Sequence, residues 1–427
     1  MKRIDLTITA LSPLAIGQRK PGGSVSEALD YIPGTVIRGA IAKEILSQST
    51  TEPTEGDDFY KLFLEETAAV FRNAYPAIAQ QNPKQQTPNQ YQLSTEPVRV
   101  VPASALSAKT SSGFKPEGTG VFDSLIDSFC AREQGHFYVP NDLKGNQVDS
   151  FSGFYSKHKQ AYLSHSTSKR LLTRVGINRK RATAQDEILY SVEVINESQG
   201  KAEPLPTVFS SSILIQTEPG SDSLAGELYD FLQQYCKHLR VGGSASRGLG
   251  KVRVAFAEPV DVADDAMGDR LKTFNQKIET RWNLWSALGN VDKSLASERE
   301  FFSLTLQSDA ILSDNWRRTT TVSPAMLAPL IELEAELIRS HAVYSSYDYR
   351  SGWNAAWGLP KDTELVTKMG SAMLFSIPRD LPQEQQSRCY EALAKLEKVG
   401  IGSRCSEGFG QVSVCDDFHL IMREAAV

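Results

Sequence analysis

The sequence predicts an α+β protein of two ferredoxin-like (RRM-like) βαββαβ domains with large insertions, each ending in a glycine-rich loop. Three observations carry that expectation: a chain of 427 residues, a repeated order of strands and helices, and two glycine-rich motifs that align without a gap. A chain of this length exceeds what one hydrophobic core usually serves, so two domains with a connector are expected. Its 41% hydrophobic and 23% charged residues are those of an ordinary globular protein, so both cores can form without staples.

Alternation of Ile4, Leu6 and Ile8 with polar residues marks the first strand, which leads through SPLAIG and a glycine-rich loop to a turn at Pro33-Gly34. A helix follows, with Thr35 as the expected cap and Val36, Ile37, Ala40, Ile41 and Ile45 on its apolar face. Residues 80 to 92 read as a polar, proline-containing loop. LLTRVGIN from Leu171 and ILYSVEVI from Ile188 read as the arms of a long hairpin. A strand at VFSSSILI from Val208 and a helix from Leu224 to Leu239, with Phe231, Leu232, Tyr235 and Leu239 inward, complete the first half. In the second half LTLQS at Leu304 to Ser308 answers LTITA. Ser323-Pro324 then opens a helix with the stripe Leu327, Leu330, Ile331, Leu337 and Ile338. The expected domains are residues 1–257, a helical connector over 258–298 that starts acidic, and residues 299–427.

RVGGSASRGLGKVRV from Arg240 and GIGSRCSEGFGQVSV from Gly400 each follow a predicted helix and share the spacing G-h-G-x5-G-h-G, with h apolar, once Arg240 stands for the first glycine. Glycines in such a loop allow φ > 0 and let backbone N–H groups approach an anion without a Cβ in the way. They can equally do no more than pack a helix against a sheet. Neither copy has the Gly-Lys-Ser/Thr of a P-loop, and both precede a strand, which disfavours a nucleotide cofactor. The first copy carries Arg240, Arg247 and Lys251 around Gly242, Gly248 and Gly250, and these are expected to meet phosphate. The second has Gly400, Glu407 and Gln411 instead, with Arg404 beside Gly402, Gly408 and Gly410, and is expected to be architectural or to face a protein.

The formal net charge of −5 makes any nucleic-acid site local. From Ser150 to Gln185 there is no Asp or Glu, while Lys157, Lys159, Lys169, Arg170, Arg174, Arg179, Lys180 and Arg181 are basic. Phe151, Phe154, Tyr155 and Tyr162 are interleaved with them, the combination of cations and rings expected of a single-strand site. The bland reading of the same segment is a solvated hairpin. Five scattered cysteines without a C-x-x-C pair argue for a reducing compartment, and the start reads as a strand and not as a signal peptide, so a cytoplasmic location is expected.

These residues together resemble the RAMP superfamily of RNA-binding proteins found in CRISPR-Cas systems. The resemblance rests on SPLAIG, on YIPGTVIRGAIA from Tyr31, on the hairpin INRKRATAQDEILYSVEV from Ile177, and on both glycine-rich loops. GWNAAWGLPK from Gly352, followed by GSAMLFSI from Gly370, is similar to the two-domain RAMP subunit of subtype III-D effector complexes. The resemblance implies a crRNA-binding structural subunit of a type III effector complex in antiviral defence. It implies contacts with the crRNA 5′ handle, the large subunit and backbone RAMP subunits, with no cofactor, metal, membrane or small-molecule substrate. Arg38 of the Pro-Gly-x-x-x-Arg-Gly helix start joins the expected RNA-binding set. Arg240 in place of a glycine and Asn178 where many relatives carry Asp both fit binding better than cleavage.

The rival reading is a metal-independent endoribonuclease that matures crRNA. Cleavage at a 2′-OH needs a positioned acid or base, and the interval from Leu11 to Gly34 has no histidine, leaving Tyr31, Lys20 and Arg19. His158 and His165, in the basic segment, are the histidines to test, and His238 is expected to end a helix. A third class, a protein-interaction scaffold, draws on Tyr344, Tyr347, Tyr349, Arg350, Trp353 and Trp357.

Overall fold

Alternation in the first strand puts Ile4, Leu6, Ile8 and Ala10 on one buried face in the computed structural model of the chain. The structure describes residues 1–18, 27–65, 69–77, 79–81, 91–93, 97–158, 161–178, 183–200, 204–216, 223–262, 267–288, 295–354 and 358–427. Strand β1 (Lys2–Ala10) lies at the centre of an antiparallel sheet. The same sheet holds β2 (Val70–Phe71), β3 (Tyr75–Ala77), β6 (Val208–Ile215), β7 (His238–Arg240) and β8 (Lys251–Phe256), of which β6 and β8 pair with β1 directly. The order is β7-β8-β1-β6-β2, with β3 also on β6. Helices α1 (Gly34–Gln48) and α3 (Ser223–Tyr235) close this core through Ile37, Ile41, Leu228 and Leu232. The long hairpin of β4 (Lys169–Asn178) and β5 (Thr183–Ile195) forms where the alternating sequence places it, with a register shift between Val175 and Ile177.

The second half repeats the order. Strand β9 (Arg299–Leu306) pairs with β13 (Ala372–Pro378) and β14 (Val412–Val414), and β10 (Arg339–Tyr344) flanks β13, giving β10-β13-β9-β14. A second hairpin, β11 (Tyr347–Asn354) with β12 (Leu359–Thr367), is inserted between β10 and β13, as the first is between β3 and β6. Every residue from Phe301 to Leu306 is buried, because this sheet is covered on both faces. Helix α5 (Gln383–Val399) contributes Cys389, Leu393 and Leu396 to its core. The segment expected as a helical connector is helical in α4 (Met267–Ser286), whose stripe Leu271, Phe274, Ile278 and Trp282 enters the same core.

Among the described residues from 97 to 165, which belong by sequence to the first half, a helix and several rings pack on the second, while Val100 and Phe154 pack on Tyr31 and Tyr75. Helix α2 (Leu125–Glu133) puts Leu125, Ile126 and Phe129 into the second core, and Phe114, Tyr155 and Tyr162 surround Phe418. The aromatic residues expected to stack on bases are therefore core: Phe154, Tyr155 and Tyr162 are buried and Phe151 is packed beside Phe114.

Four local expectations change in the structure. Helix α1 begins after Pro33 without a side-chain cap, and Asn73 Oδ1 rather than Thr35 accepts the Gly34 N–H at 2.8 Å. Helix α3 stops at Tyr235, which is exposed, and His238 lies in β7, where Leu239 pairs with Val252. Ser323 caps the next helix as expected, accepting from Met326 N, but that helix ends at Leu327. Pro329 has no N–H to continue it, so short 3₁₀ turns follow, and Leu330 is exposed. Within the expected loop over residues 80 to 92, Ala79–Gln81 pairs with Tyr91–Leu93, and residues 82–90 lie outside the described set.

Helices α2 and α4 are joined by one buried ion pair. Arg281 donates from Nε to Asp127 Oδ1 at 2.6 Å and from Nη2 to Oδ2 at 2.8 Å, and Trp285 Nε1 donates to Oδ1 at 2.9 Å. Asp127 is fully buried. Arg281→Ala leaves that carboxylate without its cation, so chemical denaturation is expected to show a loss of about 3–5 kcal/mol. Trp285→Phe removes a single hydrogen bond to a charged group and is expected to cost about 1.5–3 kcal/mol.

Candidate nucleic-acid interface

The two glycine loops are superimposable in their bonding. In the first, Gly243 N donates to Ala15 O at 2.8 Å, Gly250 N to Pro13 O at 2.9 Å and Val241 N to Gly250 O at 2.8 Å. In the second, Ser403 N donates to Ile311 O at 3.0 Å, Gly410 N to Asp309 O at 2.8 Å and Ile401 N to Gly410 O at 2.7 Å. Ser244 and Arg404 both adopt φ near +60°, each opening a 3₁₀ turn. Each hairpin closes on the equivalent segment of its own half, through the bridges Leu14 to Ile195 and Ala310 to Thr367.

Most of the glycines serve packing. A Cβ at Gly242 would lie 2.6 Å from Ala15 O, and one at Gly250 would run into Val241 O. Gly402 and Gly410 meet Ile311 O and Ile401 O in the same way, and Gly400, at φ +91°, would carry a Cβ 2.9 Å from Gly410 O. These positions approach the protein's own backbone, which corrects the expectation that Gly242 and Gly250 make room for a ligand.

Gly248 and Gly408 separate the copies. Around Gly248, at φ +86°, a Cβ would meet no atom within 4 Å. At Gly408 it would meet Asn73 Oδ1 at 2.7 Å, Phe71 O at 2.8 Å and Gly34 Cα at 3.1 Å, because the start of α1 sits on this loop. The second loop's charges are also internally paired: Glu407 accepts from Arg404 Nη2 at 2.6 Å and from Lys361 Nζ at 2.8 Å. Burial raises the Glu407 carboxyl, but these bonds outweigh it and bring the group down to about 2.

The first loop meets its hairpin through Tyr190. Arg247 lies over the Tyr190 ring at 5.7 Å and donates to its hydroxyl, while Arg174 stands opposite Tyr190 in the β4–β5 register. Leu249 is buried with Val194 beneath them. Arg247 and Lys251 are exposed, and Arg174 is half-buried with no side-chain partner among the described residues. The sequence reading did not single out Tyr190; its place opposite Arg174 in an alternating hairpin was the signal available.

Other expected cations are already engaged. Arg240 braces its own loop, donating to Leu249 O at 3.1 Å and Ala245 O at 3.3 Å. Lys169 is held by Ala28 O at 2.6 Å and Asp30 at 2.9 Å, and Arg170 by Glu197 at 3.1 Å. Arg38 packs over the Phe63 ring and donates to Phe63 O, on the side of α1 near Glu407 and Arg404. Arg179, Lys180 and Arg181 lie outside the described residues, as do Arg19, Lys20 and Trp357. Of the candidate acid–base groups, His165 is buried with Nε2 at 2.8 Å from Ser156 Oγ, and burial pushes it down to about 4. Tyr31 is buried near Asp309 and held well above the usual phenol range, first by burial and then by that carboxylate. His158 is exposed.

A duplicated sheet, helix and glycine-loop unit, with one loop open and cationic, defines an α+β protein built by internal repetition. The chain belongs to the RAMP superfamily, which it matches over residues 7–253. No curated protein matches the sequence. Among solved structures it is similar to chains of the type III-B Cmr-beta complex. One is from the complex bound to cognate target RNA and AMPPnP in state 1, with 12% identity over 91% of this chain and 93% of that one, TM-score 0.37. Another is from the complex bound to cognate target RNA, with 13% identity over 92% and 94%, TM-score 0.36. A chain of the apo-state complex shares 13% identity over 60% of this chain and 97% of that one, TM-score 0.30. Among the described residues no helix is long and apolar enough to cross a membrane.

The contrast between the loops gives two expectations. Gly248→Ala is expected to cost only the ~1–2 kcal/mol of a left-handed residue, whereas Gly408→Ala adds overpacking of about 1–3 kcal/mol, read as urea midpoints. Because Glu407 is depressed from 4.5 to about 2, its contribution is present above pH 4.5 and lost as pH falls toward 2. Glu407→Gln is expected to flatten that limb of a stability–pH curve.

Proposed function

We propose that the protein is a crRNA-binding structural subunit of a type III CRISPR effector complex, of the subtype III-D kind, holding the crRNA 5′ handle. Its partners in this reading are the crRNA, the large subunit and the backbone RAMP subunits. Each half is read as one ferredoxin-like domain, residues 1–257 and 299–427, joined by the connector over 258–298. Membership of the RAMP superfamily and the motifs quoted from Tyr31, Ile177, Gly352 and Gly370 support this reading.

The observation that carries the RNA assignment is the difference between two loops of one geometry. The second is covered at Gly408 and neutralised at Glu407. The first is open at Gly248 and presents Arg247 and Lys251, with Arg174 and the Tyr190 ring beside them. Cations around an aromatic face, next to a backbone that a phosphate can approach, suit single-stranded RNA.

Filter binding over a salt series tests the assignment. Replacing Arg174, Arg247 and Lys251 by Ala is expected to weaken single-stranded RNA binding at all sequences. The slope of log K against log salt should fall by about 0.7 per lost contact. Gly248→Val is expected to weaken binding without changing charge, while Gln411→Ala has little effect. Wild-type affinity in the triple variant would place the RNA surface elsewhere.

A further inference from the structure

Two short strands of the second half, Leu312–Asp314 and Arg317–Thr319, pair with Asp314 opposite Arg317, so the loop between them is two residues long. The ribbon starts beside the second glycine loop, where Ile311 bridges Ser403 as Ala15 bridges Gly243 in the first half. Its loop residues, Asn315 and Trp316, both hold positive φ, +47° and +65°. A two-residue hairpin loop with that sign at both positions favours Asn-Gly, and a bulky side chain in the second place is strained. Trp316 stands there nonetheless, and its ring is fully exposed.

The turn is braced from below. Asp314 accepts from Ser323 Oγ at 2.7 Å and from Asn315 Nδ2 at 3.1 Å, and Arg318 donates to Ser313 Oγ at 2.7 Å and to Glu364 of β12 at 2.6 Å. These bonds engage the Asp314 and Glu364 carboxylates, while Arg317 is exposed and has no hydrogen-bond or ion-pair partner among the described residues. From Asn315 to Ile331 the sequence has no Asp or Glu. In a chain of net charge −5, the tip therefore presents a held ring and an unpaired guanidinium. Backbone strain beneath an exposed ring gains nothing within the chain itself and points to a ligand.

We infer that Trp316 stacks on a base of single-stranded RNA, with Arg317 at the adjoining phosphate. The indole offers an open face to a base of any identity, and the cation beside it gains by neutralising phosphate. Every other residue of the ribbon from Ser313 to Thr319 is polar, so the ring is not set in an apolar patch such as forms the core of a protein interface. The inference rests on the RNA-binding reading above and adds a second contact to it, on the half whose glycine loop is covered.

Fluorescence anisotropy with the full chain and labelled oligo-A decides the matter, with urea midpoints measured alongside. Trp316→Gly supplies the glycine that the turn favours, so it is expected to leave the midpoint at or above that of wild type while weakening oligo-A about tenfold, the loss of one base–aromatic stack. Trp316→Phe keeps a ring and is expected to bind within about threefold of wild type. Neither changes charge, so the slope of log K against log salt holds in both, whereas Arg317→Ala should lower it by about 0.7. Adding Trp316→Gly to the Arg174, Arg247 and Lys251 triple variant should weaken binding by the same factor again. A Trp316→Gly chain that binds oligo-A like wild type overturns the site while the loop reading stands. One that keeps that affinity but drops out of the co-expressed effector complex overturns it in favour of a protein contact. Wild type that does not bind oligo-A overturns both readings.

Discussion

The contact on which the arrangement of the two halves depends is between backbones: Gly408 against Gly34, Phe71 and Asn73. A Cβ on Gly408 would collide with Asn73 Oδ1 and Phe71 O of the other half, while one on Gly34 would run into Phe71 O of its own half and press on Glu407 O at 3.0 Å, so the halves approach this closely because Gly408 has no side chain. The approach also completes a helix. The start of α1 lacks a cap of its own, and Asn73, from the short chain between β2 and β3, supplies the acceptor for Gly34 while lying under Gly408. Further bonds tie the same seam: Tyr75 donates to Gln307 O, Gln307 Oε1 accepts from Val100 N at 3.0 Å, and Arg72 Nη2 donates to Glu397 O at 3.0 Å.

Internal repetition makes this seam informative. One loop geometry occurs twice in the same chain, once covered by the molecule itself and once open. Covering the second loop consumes its charges in the Glu407, Arg404 and Lys361 cluster. The open copy retains cations with fewer internal obligations. One backbone geometry thus carries a covered, charge-paired loop in one half and an open, cationic loop in the other.

The places of several strands and the loop repeat were legible because period-2 alternation and glycine spacing are local properties, whereas the pairing that leaves the long hairpin outside the main sheet was not. β1, the β4–β5 hairpin, β6 and both loops stand where the sequence places them. What was not legible depends on distant partners. Phe154, Tyr155 and Tyr162 have the composition of a stacking platform, and only distant partners make them core, Tyr31 and Tyr75 for Phe154, and Phe114 and Phe418 for Tyr155 and Tyr162. The Arg240 brace and the role of Asn73 are likewise set by tertiary geometry. The cap and apolar stripe from Ser323 predict a longer helix than forms, because Pro329 ends it.

The docking of α2 onto the far half has a consequence for synthesis. Asp127 and its partner Arg281 are 154 positions apart, and Phe129 rests on Phe301. At a ribosomal rate of ~5–20 residues per second, α2 waits on the order of ten seconds for the strand that covers it. During that interval Leu125, Ile126 and Phe129 face solvent or a chaperone. The nascent first half is an unfinished object, and its exposed insertion becomes protected only when the last third of the chain has emerged.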